Sequence, residues 1–257
     1  NIGRNESDRI LPFKMWIDFP ISLTPYYEIT FIIETLSLYQ IGVCYFCFDN
    51  FLFIMNLHAV TQFRILQHRL ANMENLNEEE YDRKKCQSPF TKKSYVTLKS
   101  YIQQHQSLIA YCQKLEKVFS MIALGQVLIL SLLICCDGCQ VLMADAHSEK
   151  RFIFVFHLAG CLGQLLMFTY SCDGIMHASQ NVARGAYETP WQNLTMDKYG
   201  NRMRKDIVFV IARSRVPCCL TAQGFFEVSL GTYTSVLNTA VSYFTLLKHT
   251  MESTDND

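Results

Sequence analysis

Long apolar runs alternate along this chain with long, strongly charged ones, and the length of the apolar runs predicts helices that cross a membrane. Met121 to Cys136 and Phe152 to Cys172 hold no formal charge, and Ile29 to Met55 is mostly apolar with Glu34 and Asp49 inside it. A fourth run, Val228 to Leu247, is twenty residues without a charge, about 30 Å as a helix and so roughly the thickness of a hydrocarbon core. The pattern predicts four spans, because a soluble protein of this length rarely carries three charge-free runs of such size.

The last run differs from the others in carrying hydroxyls and an amide. Thr232, Ser235, Thr239, Ser242, Leu246 and His249 recur at steps of three and four, which places them along one face of a helix. That face is wet or partner-facing, and two readings stand side by side: it lines a pore, or its hydroxyls hold helices together.

Between the spans the periodicity stays helical. His58 to Met73 and Ser94 to Ser120 carry apolar residues at helical intervals beside charged ones, so the first two spans are expected to continue as amphipathic helices well beyond the bilayer. Glu74 to Lys93, with Glu78 to Glu80 followed by Arg83 to Lys85, reads as a solvated loop, whose basic run beside a membrane offers a second reading as a contact to anionic lipid.

Composition changes this picture little: net charge is zero, and a mean hydropathy of +0.09 averages over the two kinds of segment. The distribution of charge says more. Residues 64 to 99 and 184 to 215 hold fifteen Lys and Arg, whereas Arg4, Arg9, Lys14, Lys150, Arg151 and Lys248 are the six expected on the opposite side. By the positive-inside rule the two long connections are cytoplasmic and the C-terminus is extracellular. An even number of spans then places the Asn1 end outside too, and the expectation is a fragment without its first spans.

Candidate chemistry is sparse. No GxSxG, HExxH, Walker or GxGxxG arrangement stands in a credible context, so no enzyme and no cofactor is expected. Eleven cysteines include Cys135, Cys136 and Cys139, which with His147 resemble a metal cluster but read as small packing residues in an apolar span. Cys44, Cys47, Cys161, Cys172, Cys218 and Cys219 read the same way, and only Cys139 is placed to reach an oxidising side. Asp49, Asp137 and Asp173 lie within or near spans, where an acid is costly and suggests a role. Asp49 reads as a helix-packing residue or a gating group, and His157 as a packed histidine or a ligand contact. Asn5-Glu6-Ser7 is a glycosylation acceptor on the expected outer side; Asn193-Leu194-Thr195 matches on the inner side and is expected unmodified.

The motifs Ser179-Gln180, Ala186-Tyr187 and Pro190-Trp191, followed by the segment from Arg204 that ends in Thr232-Tyr233 and Ser242-Tyr243-Phe244, resemble the C-terminal part of an insect odorant receptor. Ser-Tyr-Phe favours the odorant branch over the related gustatory receptors. Pro25-Tyr26-Tyr27-Glu28, Asp49, His58, Gln62-Phe63 and His105-Gln106 extend the likeness over nearly the whole chain.

The resemblance implies an all-α, multi-pass transmembrane bundle with cytoplasmic helix extensions, this chain holding helices four to seven of seven. Residues 1–24 would be the second extracellular loop, 25–75 the fourth helix with its extension, 76–93 a cytoplasmic loop and 94–143 the fifth helix with its extension. An extracellular loop at 144–151, the sixth helix at 152–178 and a cytoplasmic loop at 179–200 would follow. The seventh helix would split into a cytoplasmic half, 201–216, and a pore-lining half, 217–248, with Pro217 as the break; 249–257 would be an extracellular tail.

The same resemblance implies a plasma-membrane receptor of olfactory neurons that binds a small volatile odorant and opens a nonselective cation channel in a hetero-tetramer with a co-receptor, surrounded by lipid and without nucleic acid. It places the gate at Leu246 and a polar position at His249, both on the stripe found from spacing. It also places an outer apolar pocket at Phe31, Thr35 and Leu38 and at Phe154, His157 and Cys161. Two alternatives are a G-protein-coupled type of seven-helix receptor, against which Tyr81-Asp82-Arg83 sits in a charged loop, and a non-functional receptor fragment.

Overall fold

The computed structural model describes residues 26–73, 87–143, 148–191, 194 and 196–254. The expected glycosylation acceptors at Asn5 and Asn193, the loop at 1–24 and His147 lie outside them, as do residues 74–86 of the charged loop. Among the described residues every regular element is helical: α1 (Tyr26–Ala71), α2 (Gln87–Met143), α3 (Ser148–Glu188), α4 (Lys198–Ser214) and α5 (Leu230–Thr254).

Length alone shows that the first three helices outrun a bilayer. The 57 residues of α2 span roughly 85 Å against a hydrocarbon thickness of about 30 Å. The charge-free part of α2 and α3 is turned inside out relative to a soluble protein: Leu128, Ile129, Leu132, Phe152, Ile153 and Phe156 are exposed, as lipid-facing residues are. Val127, Leu130, Ile134 and Leu165 of these runs are buried between helices, but the main buried cluster lies where the sequence is amphipathic. Ala59, Phe63, Leu66 and Leu70 of α1 meet Leu98 and Tyr101 of α2, Ile175, Val182 and Ala186 of α3, and Met203, Ile207 and Val210 of α4. A core outside the apolar spans is what helix extensions beyond the bilayer require, since only there does water supply a hydrophobic driving force.

Two compact units divide the chain, residues 1–52 and 53–257. In the second, α3 and α1 approach closely at Gly185. A Cβ there would meet the backbone oxygen of Gln67 at 2.6 Å, so only glycine allows that spacing. Nearby, Thr189 donates to the Leu70 carbonyl at 2.9 Å. Higher in the same pair, Asn56, fully buried, donates to Ser171 Oγ at 3.0 Å, a polar tie between helices of the kind spans use.

Helix α4 is amphipathic, burying Gly200, Met203, Ile207, Val210 and Ser214 at steps of three and four. Asp197 caps it, its carboxylate accepting from Gly200 N–H at 2.8 Å. That bond satisfies one of the orphan donors of the first turn.

Several expected bounds move. Helix α2 begins at Gln87, ahead of the expected 94, and α3 runs ten residues past 178 before stopping just short of Pro190, because nothing between 179 and 188 breaks a helix. Helix α5 continues through residues expected in a tail, to Thr254. Among the described residues three helices, where four spans were expected, are long and apolar enough to cross a membrane by composition: α1, α2 and α3. Helix α5 is excluded because its hydroxyls and Asn238 dilute its hydropathy.

The largest difference lies between α4 and α5. Residues 217–229, expected as helix, form a small hairpin in which Val228 N–H donates to the Leu220 carbonyl and Ala222 N–H to that of Phe226, both at 2.9 Å. Phe225 N–H closes the turn onto the Ala222 carbonyl at 3.0 Å, with Gln223 at φ 54° and Gly224 at φ 77°. Two successive left-handed residues define the tight turn that suits a hairpin. Glycine takes that conformation freely, whereas Gln223 is strained in it. Gln223→Gly is therefore expected to stabilise the protein by about 0.5–1 kcal/mol, read as a higher thermal midpoint of the detergent-solubilised chain.

Candidate functional site: the outward face of the last helix

Helix α5 has two faces of opposite character. Tyr233, Val236, Leu237, Ala240 and Phe244 are buried or half-buried, whereas Ser235, Asn238, Thr239, Ser242 and Leu246 are exposed. At 3.6 residues per turn these sets point to opposite sides. The stripe expected from spacing is thus the side that this chain leaves uncovered, apart from Thr232, which is half-buried. The backbone of α5 passes through His249, whose side chain lies outside the described residues.

The hydroxyls on that side are committed to their own helix as donors. Ser235 donates to the Gly231 carbonyl at 2.9 Å, Thr239 to Ser235 at 2.9 Å, Ser242 to Asn238 at 2.8 Å and Thr245 to Val241 at 2.8 Å. Thr232 donates instead to the Glu227 carbonyl of the preceding hairpin, at 2.7 Å. Each proton faces the backbone, so what a hydroxyl presents outward is an oxygen with lone pairs. The stripe is a column of acceptors, a surface suited to cations or hydrated cations.

Beside it, Thr232, Ser235 and Thr239 rim a cleft of about 800 Å³ whose other wall is Val127, Leu128, Ser131, Leu132 and Cys135 of α2. The spacing of Val127, Ser131 and Cys135 by fours places them on one helix face. That was a legible signal, but in an all-apolar run it does not distinguish a cleft wall from a lipid face. A shallower hollow is lined by Val241, Ser242, Thr245 and Leu246.

The start of α5 is tied to both neighbours. Asp173 of α3 accepts from Leu230 N–H at 3.4 Å and lies 3.2 Å from His177 Nε2, placing negative charge at the positive end of the helix. The hairpin before it is held by Thr221, donating to Glu116 Oε1 at 2.8 Å, and by Cys218 N–H, donating to Ser179 Oγ at 3.0 Å. The adjacent thiols respond oppositely to this setting. Hydrogen bonding with Cys112 holds the Cys218 thiol below its ordinary pKa against the effect of burial, whereas burial, with Glu227 and Glu116 nearby, pushes Cys219 up.

The expected pocket residues fall in two groups. Phe31, Thr35 and Leu38 belong to the first unit, where Thr35 donates to the Phe31 carbonyl at 2.7 Å and Leu38 is exposed; Asp49 is half-buried on the same helix. Phe154, His157 and Cys161 belong to the second. There His157 Nδ1 lies 2.7 Å from Asp137 Oδ2 of α2, and the Cys161 thiol 3.9 Å from both. Phe154 is half-buried one turn before His157. Asp137 stood out in the sequence as an acid beside a span, but its pairing with His157 was illegible, because it depends on how α2 and α3 rotate against each other.

Helices of this length with apolar outer faces, a core in their charged extensions and a short polar last helix define a polytopic helical membrane protein. A model of the family described as 7tm Odorant receptor matches residues 2–241, and the chain belongs to that family. It is 26% identical over 94% of its length to odorant receptor 30a of Drosophila melanogaster and 24% identical over 93% to odorant receptor 10 of Aedes albopictus. With odorant receptor 13a of Drosophila melanogaster it shares 30% identity over 59% of its length. The chain spans 60%, 60% and 38% of those relatives. The structure superposes with a TM-score of 0.73 on the insect olfactory receptor OR5 from Machilis hrabei in complex with eugenol, at 15% identity, covering 91% of this chain and 56% of that one. The fold is shared, and the family is one of receptors, not enzymes.

Proposed function

We propose that this chain is part of an odorant-gated, nonselective cation channel subunit, in which α5 lines the conduction path together with its counterparts in a hetero-tetramer containing a co-receptor. The observation that carries the reading is the exposed column of acceptor oxygens on Ser235, Thr239 and Ser242, opposite the packed face of the same helix. Such a column costs free energy against lipid and is favourable against water and cations. Leu246 would supply the apolar constriction and His249 the polar position beyond it. A small volatile ligand would be held by shape and apolar contact near Phe154, His157 and Cys161. The subunit would reside in the plasma membrane of an olfactory neuron, with its C-terminus extracellular by the positive-inside rule.

The test is modification from water. In the full-length subunit expressed with its co-receptor, Ser235→Cys and Thr239→Cys are expected to make the odorant-evoked current sensitive to a charged thiol reagent, and Leu237→Cys on the packed side is expected to leave it insensitive. Equal sensitivity of all three, or of none, would remove α5 from the conduction path.

A further inference from the structure

The structure assigns a second kind of site to this chain: we propose that Asp137, His157 and Cys161 bind a divalent transition ion of the zinc class between α2 and α3. The inference needs only the geometry of these two helices and stands apart from the channel reading. His157 and Cys161 are four residues apart on α3 and so share a face, and Asp137 comes to them from α2. Their ligand atoms, Nδ1, Sγ and a carboxylate oxygen, all lie within 4.8 Å of one another. Among the described residues no other group of three such side chains meets this condition.

The donor set is chemically matched to the ion. Nitrogen, sulfur and oxygen are the three ligand types zinc takes, and three protein ligands leave a fourth position for water. Zinc bond lengths in a tetrahedron would place the nitrogen and oxygen about 3.3 Å apart and each about 3.5 Å from the sulfur. The present separations are 2.7, 3.9 and 3.9 Å, so small side-chain rotations, with no helix movement, convert one arrangement into the other. Loading requires the Cys161 thiol to release its proton to solvent as the sulfur–metal bond forms.

Access and placement also fit. Asp137 and Cys161 are buried, while the His157 side chain is 56% exposed, which leaves an approach from one side. Asp137 directly follows the charge-free run that ends at Cys136, and His157 and Cys161 lie within the first ten residues of the run that begins at Phe152, so an ion would reach the group from the end of the spans, past the exposed imidazole. A carboxylate there is costly unless it is neutralised, and an ion neutralises it more completely than the contacts from His157 and Cys161 alone. The next residue, Gly138, lies directly under the ring of Phe244 of α5, so an ion clamping α2 to α3 would brace the last helix as well.

Cobalt makes the site visible, because a thiolate bound to Co²⁺ gives a charge-transfer absorption that nitrogen and oxygen ligands do not. The detergent-purified chain is expected to take up one Zn²⁺, to melt at a higher temperature with it, and to show this band when loaded with Co²⁺. Cys161→Ser should remove the band, and His157→Gln, at a largely exposed position, should weaken Zn²⁺ binding by roughly tenfold or more with helix content unchanged. Cys136→Ser, which removes a neighbouring exposed thiol, should leave both intact. The proposal is overturned by a wild-type chain that shows no band, by a band that survives Cys161→Ser, or by His157→Gln binding Zn²⁺ as tightly as the wild type.

Discussion

Replacing Leu246 by serine is expected to raise the resting cation current of the assembled receptor several-fold, while odorant still adds to it. Leu246 is 67% exposed on the side of α5 that carries Ser235, Thr239 and Ser242, and it is the apolar member of that stripe. In a narrow, otherwise polar path a single apolar ring holds the channel shut by excluding water. Serine removes the apolar side chain and adds a hydroxyl able to keep water in place. A change of about 1.4 kcal/mol in the bias toward the closed state corresponds to a tenfold change in the open-to-closed ratio. In the proposed mixed assembly other residues would complete the same ring, so several-fold is the expected scale. Whole-cell current before odorant is the measurement, with Leu246→Ile, which keeps the apolar ring, expected to remain silent. Unchanged leak in the serine variant would exclude Leu246 as the gate.

Gly185→Val should be the most damaging substitution to the folded state. A side chain at Gly185 has no room: its first carbon would lie 2.6 Å from the Gln67 carbonyl oxygen and 2.8 Å from Gln67 Cγ. Main chain cannot rotate away as a side chain can, so α1 and α3 must separate. That separation opens the core that Phe63, Leu66 and Leu70 make with Val182 and Ala186. Overpacking of this kind costs about 1–3 kcal/mol for small additions, and the valine branches exceed that of alanine. Alanine brings an opposing gain of about 1 kcal/mol in helix propensity, so Gly185→Ala should fall between wild type and Gly185→Val. Gly160→Ala supplies the contrast. Nothing lies within 4 Å of a Cβ there, and only the propensity gain remains, so it should be neutral or stabilising. Thermal midpoints of the purified variants decide the order, and a Gly185→Val protein as stable as Gly160→Ala would mean that the close approach is absent.

Much of the fold was legible from periodicity because helices of this kind are local objects. The apolar runs, the amphipathic continuations of α1 and α2 and the helical stripe on α5 follow from residues three and four apart. The stops were harder to read. A helix ends where a cap, a proline or a competing contact ends it. The run from Ser179 to Glu188 offered none of these, so α3 continued through a segment that the family resemblance assigned to a loop. The stretch after Pro217 went the other way: the family resemblance assigned it to the last helix, yet the left-handed pair Gln223-Gly224 turns it into a hairpin held by Glu116 and Ser179.

The sequence by itself determined that this is a membrane-spanning helical chain of the odorant receptor family, that its last helix carries a hydroxylated face, and that Asp and His sit at unusual places within or beside apolar segments. These properties reside in composition, spacing and short motifs. Only the tertiary structure decided that the hydroxylated face is the uncovered one, that Asp137 meets His157 and Cys161, and that Gly185 and Gly138 lie against Gln67 and Phe244. Each of those facts depends on the rotation and separation of one helix against another, which is set by the summed packing of many side chains and is carried by no single stretch of residues.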